Sequence, residues 1–127
     1  MDITPLVPEG RQIIESYGDD GFRISGERHP GPVIVWPEGV VPWAVSAIGT
    51  AAIETLDAVF SVEPRIEILL IGSGAAFEMA PPALREAVGG RGLSFESMDT
   101  GAACRTYNVL MAEDRRVAAA LIPARTD

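Results

Sequence analysis

A chain of 127 residues, 47% of them hydrophobic, has the size and apolar content for a single domain with its own core. Its net charge of −8 argues against non-specific binding to nucleic acid or to an anionic membrane surface, both of which reward basic patches. All ten basic residues are arginine, which excludes a P-loop lysine, a Schiff-base lysine and a Ser–Lys dyad, and one Cys with one His supplies neither an internal disulfide nor a Cys/His zinc site.

The opening MDITPLVPEG lacks the basic and apolar regions of a secretory signal. It is acidic where a mitochondrial transit peptide is Arg-rich, so a cytoplasmic domain is expected. No apolar run is long enough to span a bilayer as a helix. RQIIESYG (11–18) and GFRISG (21–26) flank Asp19-Asp20 and predict a hairpin with an acidic turn. ERHPG reads as a turn, and PVIVW (32–36) as a strand buried on both faces. PEGVVPW breaks the pattern with two prolines and a glycine. Ile53, Leu56, Val59 and Phe60 then recur at helical spacing, with Thr50 as the expected N-cap and Glu63-Pro64 as the stop.

IEILLIG (66–72) predicts a second buried strand that leaves through Gly72-Ser73-Gly74. Pro82 suits the first turn of a helix that Gly89-Gly90 would end. LSFESM (93–98) alternates as a strand, a helix is expected from about Gly101 to Glu113, and RVAAALIP (116–123) is the last strand. The order β-β-β-α-β-α-β-α-β implies an α/β, three-layer fold around a mostly parallel mixed sheet, with an N-terminal hairpin at one side.

Ligands of open α/β sheets gather beyond the carboxyl ends of strands. Three loops are therefore expected to converge: Trp36–Gly39, Gly72–Phe77 and Met98–Gly101. Gly72, Ser73 and Gly74 could offer backbone N–H groups to an anion, although Phe77 holds the third position of a dinucleotide fingerprint and no helix starts at once. In SMDTGAACRTYN (97–108), Asp99 or Thr100 can cap the helix start. Cys104, Tyr107, Asn108 and Met111 share one face, and Arg105 and Asn108 are spaced to reach a common partner. Cys104 is read either as a thiolate sensitised by the helix start and Arg105 or as a small core residue; nucleophilic catalysis would also need a base, and the sole His29 lies in a turn signal. Trp36 and Trp43 bracket PEGVVP, either packing that loop or forming the rim of a protein interface. No metal-ligand spacing and no cofactor fingerprint is present, so no metal and no cofactor is expected.

Taken together, VIVWPEGVVPW, ILLIGSGAAFEMAPPALREAV and MDTGAACRTYNVLMAEDRRVAAALI resemble a family of small domains. That family includes the mitochondrial complex I (NADH:ubiquinone oxidoreductase) assembly factor three, the adipogenesis-associated domain proteins and uncharacterised bacterial members. The resemblance runs from about Ile13 to Ile122 and implies a three-layer fold around a mixed sheet with one antiparallel strand. It also implies an assembly role in complex I biogenesis, and the N-terminal reading favours a bacterial member. The leading expectation is an interaction domain with a protein partner in membrane-complex assembly, without nucleic-acid binding or membrane insertion. The alternative is an enzyme or small-anion binder at Gly72–Gly74 and Asp99–Arg105. Self-association through the edge of the N-terminal hairpin or of the last strand is a third reading, and the oligomeric state stays open.

Overall fold

The structure, a computed structural model, describes residues 10–18 and 20–124. Asp19 of the expected acidic turn and the leader reading of residues 1–9 lie outside the described residues. The chain forms β1 (Ile14–Tyr17), β2 (Gly21–Ile24), β3 (Glu27–Pro30), β4 (Val33–Trp36) and β5 (Gly39–Pro42) before any helix. Two short 3-10 turns, Ile48–Thr50 and Ile53–Leu56, lead into the single turn α1 (Asp57–Phe60). The remainder is β6 (Ile68–Gly72), α2 (Pro82–Gly90), β7 (Ser94–Met98), α3 (Thr100–Ala112) and β8 (Val117–Leu121).

Two sheets result. A small antiparallel one has the order β1-β2-β3, and a central five-stranded one has the order β5-β4-β8-β6-β7. In the central sheet β6 is parallel to both β7 and β8, while β4 is antiparallel to β8 and to β5. Four strands therefore point one way and β4 alone points the other. This is the mixed sheet with one reversed strand that the family resemblance implied.

Alternation along the strands divides the core into two layers. Ile34, Leu69, Ile71, Ala118 and Ala120 pack with Leu56, Val59, Leu84 and Val88 of α1, α2 and the turns before them. Val33, Val35, Leu70, Ala119 and Leu121 pack with Ala103, Cys104, Tyr107 and Met111 of α3 and with Ile14, Phe22 and Ile24 of the small sheet. The central β8 carries three alanines: Ala119 faces the layer of Tyr107 and Met111, and Ala118 and Ala120 face the layer of α1 and α2. Both faces are covered, giving three layers.

Several local expectations change. ERHP is a strand rather than a turn, pairing Phe22 with His29 and Gly21 with Pro30. GVVP pairs with VIVW as a hairpin, Ile34 opposite Val41. Both are edge strands, where prolines and charged residues are tolerated because one side of the backbone needs no partner. Thr50 does not cap a long helix; its hydroxyl donates to the Ala47 carbonyl at 3.0 Å, and helical structure in this segment is limited to short turns. α2 includes Gly89 and Gly90, and the left-handed residue beyond it is Gly92, with φ +85°.

Candidate functional site

Strand direction decides which loops meet. Gly72–Gly74, Asp99–Thr100 and Ile122–Pro123 leave the carboxyl ends of β6, β7 and β8, and Trp43 follows the carboxyl end of β5 at the same end of the sheet. The reversed β4 carries Trp36 and the turn Trp36–Gly39 to the opposite end, where Glu38 meets Arg116 ahead of β8. Two of the three loops expected to converge do so, and the Trp36 loop does not.

At this carboxyl rim Thr100 is the joint. It is fully buried, accepts a hydrogen bond from the Gly74 N–H at 2.8 Å and donates its hydroxyl to the Ile122 carbonyl at 2.6 Å. Its own N–H donates to the Gly74 carbonyl at 2.9 Å, and the Ser73 N–H donates to the Met98 carbonyl at 2.9 Å. One threonine thus ties together the exits of three strands. Gly72 is required by proximity here: a Cβ on it would stand 2.8 Å from Leu121 Cδ2 and 3.1 Å from Thr100 Cα. The Ser73 and Gly74 amides, which the sequence offers to an anion, are already donating within the protein.

Asp99 caps α3, its Oδ1 accepting from the Ala102 N–H at 2.9 Å. Cys104 faces the core and is almost fully buried; burial first, with Asp99 assisting against the pull of Arg105, pushes its thiol up to about 12. At neutral pH the sulfur is a neutral thiol, the opposite of a sensitised nucleophile. Arg105 is exposed and donates from Nη1 to the Tyr17 hydroxyl at 3.3 Å. Asn108 lies beside β1 instead of sharing a partner with Arg105: its Nδ2 donates to the Ile14 carbonyl at 2.8 Å and its Oδ1 accepts the Ile14 N–H at 3.0 Å. Next to it the Tyr107 hydroxyl donates to the Gln12 carbonyl at 2.9 Å, and burial raises the phenol well above its ordinary range. These two side chains pin the small sheet onto α3. Trp43 is buried in the other layer, its Nε1 donating to Thr55 Oγ1 at 2.9 Å.

The stretch after β6 is the part of the rim turned to solvent. Ser73 organises it: its hydroxyl donates to the Ala76 carbonyl at 2.9 Å and accepts the Glu78 N–H at 2.9 Å. The loop so held presents Phe77, 57% exposed, and Met79, 59% exposed, with Glu78 between them. Neither was singled out from the sequence as an interface residue. The available signal was two large apolar residues in a non-periodic stretch bounded by Gly74 and by Pro81-Pro82, where neither strand nor helix would bury them. Among the described residues no three His, Cys, Asp or Glu side chains come together as a metal site. Likewise, no described helix is long and apolar enough to cross a membrane.

Comparison with known proteins places this geometry among relatives. A family model described as a protein of unknown function (DUF498/DUF598) matches residues 14–122. The chain is 39% identical to the NADH dehydrogenase (ubiquinone) 1 alpha subcomplex assembly factor 3 of Danio rerio, over 87% of this chain and 64% of that protein. It is 36% identical to an uncharacterised protein of Rhodobacter capsulatus, over 90% of this chain and 86% of that one. The chain thus spans less than two thirds of the assembly factor's length, 64% for the fish protein and 61% for that of Xenopus tropicalis. Among solved structures, a protein of Bartonella henselae described as an outer membrane protein superposes with a TM-score of 0.82 at 38% identity, covering 91% of this chain and 97% of that one. A Bordetella pertussis protein described as an Mth938-like domain gives a TM-score of 0.80 at 28% identity, over 100% and 95% of the two chains.

Proposed function

The chain belongs to the DUF498/DUF598 family of proteins of unknown function, and on that premise we propose that it is a cytoplasmic interaction domain assisting assembly of a membrane-associated respiratory complex. Support comes from relatives named as assembly factors of the NADH dehydrogenase, matched over 87% of this chain. The observation that carries the reading is the ordered apolar tip at the carboxyl rim. Phe77 and Met79 are exposed although the loop holding them is fixed by Ser73. Water contact with two large apolar side chains is unfavourable, and a partner surface that covers them recovers that free energy. Glu78 between them matches a partner pocket with apolar walls and a basic border. Asp99 and Arg105 are proposed as flanking residues, with Gly72, Ser73, Gly74 and the buried Thr100 setting the loop's path.

The test compares the purified full chain with a Phe77→Ser/Met79→Ser variant in capture from native membranes, scored for subunits of the NADH dehydrogenase. Because both residues are exposed, the variant is expected to keep its stability within about 0.5 kcal/mol. Capture of those subunits is expected to fall at least about tenfold, the loss typical of two interface anchors. Equal recovery by both proteins would overturn the assignment of this loop.

A further inference from the structure

At the end of the sheet opposite the rim, the last residues of α1 and the approaches to β6 and β7 enclose an open cleft of about 300 Å³. Phe60, Val62, Ile66 and Leu93 form its apolar walls; Glu63, Arg65 and Arg91 supply its polar groups. We propose that this cleft binds a small apolar monocarboxylate, its apolar body against those walls and its carboxylate between Arg65 and Arg91. The inference is independent of the partner proposed for the rim.

The two arginines are placed by the fold. The Arg91 guanidinium lies over the Phe60 ring, its Cζ 4.5 Å from the ring centroid, a cation–π contact that holds the charge beside the cleft. Arg65 reaches over the turn after α2 and donates from Nη2 to the Arg91 carbonyl. That position exists because residue 92 is glycine: a Cβ there would stand 2.5 Å from Arg65 Nη2. Neither guanidinium makes an ion pair among the described residues, in a chain with 18 acidic and 10 basic residues. Two positive charges on the lining of one cleft with apolar walls, in a molecule of net charge −8, favour an anion with an apolar body. Glu63 on the same lining sets the charge of that anion, because its carboxylate penalises a phosphate dianion more than a carboxylate monoanion. The volume lies at the small end of ligand sites, which matches a compact acid rather than a cofactor.

The experiment is an amide-resolved NMR titration of the full chain at low salt with benzoate, with benzyl alcohol as its neutral counterpart and with phenylphosphonate. Benzoate is expected to shift the amides of Phe60, Val62 and Leu93 saturably with a dissociation constant on the order of 1 mM. Benzyl alcohol should bind about fivefold or more weakly, because it lacks the charge that the guanidinium groups meet. Arg65→Gln and Arg91→Gln should each bring benzoate down toward the benzyl alcohol level, with melting temperatures showing that both variants are folded. Equal binding of benzoate and benzyl alcohol, or unchanged benzoate affinity in both variants, would overturn the proposal. So would the absence of saturation by about 50 mM, roughly fifty times the expected dissociation constant. Tighter binding of phenylphosphonate than of benzoate would overturn the carboxylate assignment in favour of a phosphate ligand.

Discussion

The two ends of the central sheet treat polar groups in opposite ways. At the carboxyl rim, Thr100 satisfies Gly74 and alone links the exits of three strands, while Asp99 satisfies the first turn of α3. At the other end, Arg65 and Arg91 stand beside an apolar cleft with no carboxylate paired to them among the described residues. Glycines, hydroxyls and a capping aspartate at a strand exit resemble a site, yet here they form a joint. Capacity for a partner is left where the chain's own groups do not use it: at the Phe77 and Met79 tip and at the two arginines.

The largest expected effect tests whether the rim is a joint. Thr100→Val removes the hydroxyl while keeping its volume, leaving the Gly74 N–H and the Ile122 carbonyl without that partner in a buried place. Stability measured by urea unfolding is expected to fall by about 2–4 kcal/mol, the buried Gly74 N–H costing about 1–3 kcal/mol when unmet and the partly buried Ile122 carbonyl about 1 kcal/mol. A loss below about 0.5 kcal/mol, the range of ordinary surface substitutions, would show that the rim is not held this way. Next comes the thiol on the same helix. Cys104 in the folded protein is expected to alkylate with iodoacetamide about a hundredfold or more slowly than a free thiol at pH 8, as burial keeps it protonated. A rate near that of free cysteine would return it to the list of nucleophiles. Asp99→Ala should cost about 1 kcal/mol through loss of the cap on α3, a smaller change at the same rim.

How far these features could be read in advance follows from how local each one is. PVIVW and IEILLIG announce buried strands because continuous apolar runs need no outside information, and Asp99-Thr100 announces a cap because capping involves only the next turn. The free edge expected of RVAAALIP is not there, since β8 lies between β4 and β6. ERHP and GVVP hide their strands, since an edge strand with a proline is made by its neighbour, β2 in one case and β4 in the other. The separation of Trp36 from Gly72 depends on the direction of β4, which no spacing within VIVW encodes. Asn108 looks like a surface polar residue beside Arg105, but it bonds β1 across 94 positions of sequence. For the same reason the cleft was not legible: Arg65 and Arg91 come together only after α2 has folded back between them.

The smallest expected effect sharpens the comparison at the arginine end itself, where one arginine does have its carboxylate. Arg116 grips Glu38 with two hydrogen bonds, Nη1 to Oε2 at 2.7 Å and Nη2 to Oε1 at 2.9 Å. Those hydrogen bonds, opposed by partial burial and aided by the charge of Arg116, hold the Glu38 carboxyl below its ordinary range and raise Arg116 above its own. A lowered folded value means that the unfolded chain takes up its proton first as pH falls. The pair therefore stabilises the fold above the unfolded carboxylate's value of about 4.3, and that contribution disappears as pH drops through the lower folded value. Glu38 is half exposed, so Glu38→Gln is expected to cost only about 0.5 kcal/mol at pH 7. The difference between wild type and variant should shrink as pH falls through the lowered folded value of Glu38, below which both carry a neutral side chain at this position. Urea unfolding from pH 7 down to pH 3 measures it; a gap that does not change with pH would mean that packing, and not charge, joins the β4–β5 turn to the start of β8. Arg65 and Arg91, with no such carboxylate paired to them among the described residues, should show no matching acid-side loss when each is replaced by glutamine.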